Sequence, residues 1–208
     1  VFSVYQEFQA FFLLFMMVAL FSLSFYIPLL CTLDKEASLF GNELRIGVSR
    51  NKLFVSKYFF ILGLVGFIEG LSFTTFASLQ FFLSNRTLDF YLICFFLLAI
   101  FISLMPMVLS YLFLTLVLNE SGSLIFGVLF TLSGILLGTT ALGSKLWYVI
   151  PWTWGFRLVY KIIPKEILQG DFKNYWQIIS ESLLTSVLFL LLELFWYNRW
   201  EGVSKLEE

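Results

Sequence analysis

Long apolar runs separated by polar connections dominate this chain. A helix needs about 20 mainly apolar residues to cross a hydrocarbon layer of roughly 30 Å. Five runs meet that length: residues 8–31, 58–82, 90–118, 123–143 and 178–197. They are apolar on every side, unlike half-buried soluble helices, and lack the period-2 alternation of a membrane barrel. The pattern predicts an all-α, polytopic helical membrane protein: one transmembrane domain over residues 1–208, in the cell membrane and exposed to the lipid bilayer. Two long polar connections remain, 34–57 and 144–177.

Composition narrows the chemistry. With 60% of 208 residues hydrophobic and 13% charged, there is more apolar surface than one soluble core can bury. A net charge of -1 without a basic patch excludes nucleic acid as a partner. The absence of histidine removes Ser-His and Cys-His nucleophile pairs and histidine zinc sites, and two cysteines cannot form a four-thiolate site. No clustered carboxylates suggest a hard-cation site. The expectation is a chain that is not an enzyme and holds no cofactor. Cys31 and Cys94, in apolar stretches, read as small buried hydrophobes. Gly138 to Lys145 (GTTALGSK) approximates a phosphate loop, but Ser144 and Lys145 are transposed and no strand precedes it.

Lys and Arg in connections set orientation. One side carries seven (Lys35, Arg45, Arg50, Lys52, Lys57, Arg199, Lys205) and the other six (Arg86, Lys145, Arg157, Lys161, Lys165, Lys173). The concentration of Arg50, Lys52 and Lys57 at a span end places 34–57 in the cytoplasm. Within it, Ala37, Phe40 and Leu44 share one face of a short helix whose other sides carry Glu36, Glu43 and Arg45. Gly47 stops that helix, and Ser49 to Lys52 leads into a basic turn. Such a helix either lies on lipid or docks a soluble partner. The chain opens on Val1, with Gln6 and Glu7 as the only strongly polar residues before the first run, and shows no signal-peptide pattern, so a preceding N-terminal piece is expected.

All six tryptophans lie in the last third. Lys145 to Tyr160 (KLWYVIPWTWGFRLVY), interrupted at Pro151, reads as a segment on or dipping into the interface, and Pro164 and Gly170 punctuate the residues between it and the last run. Trp147, Trp152 and Trp154 would form an aromatic platform there, serving either as an anchor or as a lid against substrate. Glu69 falls near the middle of its span, where an ionised group is costly, and is a candidate for the substrate path or for a structural bond. Glu193 lies nearer a span end and is expected to snorkel toward Asn198 and Arg199. Gly63, Gly66, Gly70, Gly134 and Gly138 offer close helix packing. Pro106 is expected to kink the third run.

The order span, LFGNELRIGVSRNKLFVSKYF, span, then three further spans resembles the ABC-2 type of ABC transporter permease. LWYVIPWTWGFRL before the last span further resembles the lantibiotic-immunity permeases of Gram-positive bacteria. The resemblance implies six spans, of which the first would precede residue 1, and an extracellular segment at 147–160. It also implies a cytoplasmic coupling helix. Docking of ABC ATPase subunits then falls on Glu36, Phe40, Glu43, Leu44, Arg45 and Arg50. ATP and Mg would reside on those partners, and a second permease subunit, identical or homologous, would complete the assembly. The implied activity is expulsion of a lantibiotic or similar antimicrobial peptide. A non-transporting assembly or sensor subunit, or an ABC-2 exporter of another lipophilic substrate, stays open as an alternative.

Overall fold

The structure, a computed structural model, describes residues 4–36, 49–84, 90–165 and 172–199. Among them there is no strand, and four helices are long and apolar enough to cross a membrane. These are α1 (Val4–Glu36), α2 (Arg50–Ser84), α3 (Phe90–Thr139) and, after a shorter α4 (Pro151–Arg157), α5 (Lys173–Arg199). α1, α2 and α5 each extend beyond the apolar run that predicts them. The stretch expected to be a basic turn at Ser49 to Lys52 is the start of α2, where the Ser49 carbonyl accepts the amides of Lys52 and Leu53. Residues 37–48, which hold Phe40, Glu43, Leu44 and Arg45, lie outside the described residues.

α3 is not one rod. Asn119 adopts φ 62 and ψ -171, a region normally reserved for glycine. The chain folds back there, so the Tyr111 and Phe130 rings, 19 positions apart, lie 5.8 Å from each other. The expected third and fourth runs are therefore the two limbs of a hairpin, the second ending at Thr139 and not at residue 143. Helical angles continue through Pro106, and the one non-helical residue within α3 is Asn119.

α3 is the most buried of the long helices and touches all the others. α1 presents it with Phe8, Phe12, Met16, Leu20, Leu23, Ile27 and Cys31, spaced by three or four residues on one face. Leu14, Val18, Phe21 and Phe25 point away and stay exposed, as a lipid solvent requires. At one end of the bundle Thr32 hydrogen-bonds Glu120, Phe54 meets Tyr197, and Phe113 meets Trp196. At the other end Phe12 stacks between Phe73 and Phe96, and the Tyr175 hydroxyl donates to the Phe95 carbonyl. The C-terminal end of α1, the start of α2, the Asn119 turn and the end of α5 thus share one end.

Residues 140–165 turn back into the opposite end. Trp152 stacks on Phe130 at 4.3 Å and donates its indole N–H to Ser133, most of two turns inside the end of α3. The chain then climbs as α4 and a π-helical turn, Leu158–Ile162, past Gly134 and Gly138. A Cβ on Gly138 would lie 2.5 Å from the Phe156 Cβ, and one on Gly155 would strike Met16 and Ser103. These glycines open the slot that admits the segment. Gly66 does face Phe101, whereas Gly63 and Gly70, expected to bring helices together, meet nothing within 4 Å.

Candidate functional site

Two carboxyls are buried among the long helices. Glu69 is 4% exposed, and its Oε1 has no hydrogen-bond partner. It borders an open cavity of about 370 Å³ with Gly66, Gly70, Cys94, Leu97 and Phe101. Across this cavity Glu69 faces the first limb of α3, and its Oε1 accepts no hydrogen bond. Cys94, expected to be buried, is exposed at this cavity, while Cys31 is buried as expected.

Glu193 corrects the snorkelling expectation. It is 7% exposed with an unpartnered Oε2. α2 packs over it, bringing the Tyr58 hydroxyl beside Ser186 and Glu193, so the side chain cannot run along the surface to the helix end. Arg199 sits instead 4.1 Å above the Phe195 ring. The proximity of Tyr58 and Ser186 had no signal in the sequence, since it depends on how α2 and α5 are paired.

The tryptophans separate by environment. Trp147 is half-buried beneath Arg157, whose guanidinium carbon lies 5.3 Å above its ring. Trp152 is half-buried on Phe130, and Trp154 is buried, with its indole N–H donating to the Tyr148 carbonyl at 3.1 Å. The expected single surface platform is corrected: Trp154 is buried, Trp152 turns its ring onto Phe130 and Ser133, and Trp147 lies under Arg157, while the slot left by Gly134 and Gly138 is filled by Phe156. Arg157 and Lys161 reach the Gly138 and Thr140 carbonyls at the end of α3, where cations offset unpaired acceptors. Gln9 of α1, not anticipated from sequence, donates to the Val159 and Tyr160 carbonyls. An amide inside an apolar run was the available signal.

Glu36 ends α1 and Arg50 begins α2, both at the end of the bundle opposite the tryptophan segment, and residues 37–48 lie outside the described residues. Among the described residues no group of His, Cys, Asp or Glu could hold a metal ion.

An unpartnered buried polar group costs about 1 to 3 kcal/mol. Glu69→Leu is therefore expected to raise the unfolding midpoint in detergent. A fall in the midpoint would show that Glu69 serves packing instead.

No protein family, characterised protein or solved structure matches this chain.

Proposed function

We propose that this chain is the permease subunit of an ABC-2 type transporter, expelling a lantibiotic or similar antimicrobial peptide from the cell membrane. ATP, with Mg, is hydrolysed on separate ATPase subunits, and a second permease subunit, identical or homologous, shares the pathway. Counting the α3 hairpin as two crossings gives five spans, in the order that resembles the family.

One observation carries the reading: the helix ends at Glu36 and Arg50 and the aromatic segment turned into the bundle occupy opposite ends of one helical body. A pump driven from one face and loaded from the membrane or the other face needs that separation. The turns at 140–150 are irregular backbone held against protein, the setting in which such backbone is tolerated at membrane depth. Apolar surroundings with isolated carboxyls suit an amphipathic, cationic peptide.

Docking is tested at the connection. Reversing both charges, Glu43→Lys with Arg45→Glu, is expected to reduce co-purified ATPase at least tenfold without changing membrane insertion, since complementary charge matters only where a soluble partner reads it. Vanadate-sensitive peptide export should fall in parallel. Unchanged ATPase recovery would overturn the reading.

A further inference from the structure

Between the α3 hairpin and α5 lies a cleft of about 430 Å³, walled by Phe113, Leu114, Phe130, Phe189 and Trp196, with Glu193 among its lining residues. We infer that this cleft binds a lipophilic ammonium ion, its N–H group on the Glu193 carboxylate and its apolar body against the aromatic walls.

The cleft volume falls within the range of small-molecule sites, about 300 to 1,000 Å³. Its walls are almost wholly apolar, which selects a hydrophobic guest. Its one acidic group is more than nine-tenths buried, and the Oε2 has no partner. A buried carboxylate without a counter-charge is costly, and an ammonium in the cleft supplies that charge. Aromatic faces add attraction for a cation within about 6 Å of a ring centroid. Neither a fatty anion nor a neutral lipid tail answers the carboxylate. Arg199, the nearest charge along α5, is turned onto Phe195 and does not fill the role. Leu192, on the same lining, is 59% exposed, so the cleft opens on the outer surface of the bundle, where a lipid-dissolved guest arrives sideways.

This site lies toward the Asn119 end of the bundle, adjoins the tryptophan segment only through the Phe130 ring that Trp152 stacks on, and is distinct from the Glu69 cavity. Its occupancy does not depend on an ATPase, so the inference and the proposed transport activity fail separately. The test uses the full chain in nanodiscs of zwitterionic phosphatidylcholine, titrated with 9-(aminomethyl)anthracene and, as the uncharged match, 9-anthracenemethanol. Binding is read from energy transfer from tryptophan after subtraction of empty discs. The amine should bind saturably and at least tenfold more tightly than the alcohol. Glu193→Gln, close to the same size, should bring the amine within about threefold of the alcohol. Ser110→Leu narrows the cleft while keeping the carboxyl, and should weaken amine binding at least tenfold. If Glu193→Gln fails to fold, the amine–alcohol pair and Ser110→Leu decide. Equal affinity for amine and alcohol, or full amine affinity in a folded Glu193→Gln protein, overturns the inference. So does the absence of saturable binding, as expected if lipid or a second copy of the chain fills the cleft.

Discussion

Replacing Trp154 with alanine is expected to cost about 3 to 5 kcal/mol, the range for truncating a large buried aromatic side chain. Its ring is 3% exposed, and its N–H is given to the Tyr148 carbonyl. Truncation leaves a void where α4 meets the bundle and removes that carbonyl's donor. Neighbouring groups are poorly placed to close the gap, since Phe156 is already locked between Gly134 and Gly138. Trp147→Ala is the matched control. It loses a partly exposed ring and a cation–π contact worth about 0.5 to 1 kcal/mol, so its effect should be much smaller. Unfolding midpoints in detergent at matched protein concentration measure both. Equal effects from the two substitutions would contradict the burial of Trp154.

The second large effect is expected at Gly138→Val, which should destabilise by about 3 kcal/mol, at the upper end of overpacking costs. A Cβ there would lie 2.5 Å from the Phe156 Cβ, 3.2 Å from the Thr153 oxygen and 3.4 Å from the Arg157 nitrogen. Two of these neighbours are backbone atoms, so relief requires the whole of α4 to move outward. That displacement would also part Trp152 from Phe130 and Arg157 from the Gly138 carbonyl. Gly63→Ala should do the opposite. With nothing within 4 Å, it gains up to about 1 kcal/mol of helix propensity. A Gly138→Val protein with unchanged stability would show that α4 is not seated in the slot.

The long helices were legible because spanning length and all-round apolarity are properties of contiguous sequence. Their ends were less so: α1 and α2 continue several residues into polar territory, since a helix already nucleated extends cheaply until its caps stop it. The polar residues 119–122 did announce a break, although Pro106 drew attention elsewhere in the same helix. Trp152 and Trp154 were misplaced for a different reason. Their preference for the interface is an average over lipid-facing positions, and it yields where Phe130 and Ser133 offer Trp152 a ring and an acceptor and the Tyr148 carbonyl takes the Trp154 N–H. Glu69 stood out as an acid amid apolar residues. Glu193 was judged by its distance from the helix end, and that distance could not report α2 lying across it.

Asn119 also limits how the gene can drift. The hairpin holds it at φ 62 and ψ -171, where a side chain costs roughly 1 to 3 kcal/mol and glycine is at ease. One base change turns an asparagine codon into aspartate, histidine, lysine, serine, threonine, isoleucine or tyrosine. Glycine is two changes away. Every path to the relaxed residue passes through serine or aspartate, which keep a Cβ at the turn, and the branched neighbours threonine and isoleucine are worse placed. The position is thus a shallow trap in codon space: strained where it stands, and with no relaxed residue a single step away.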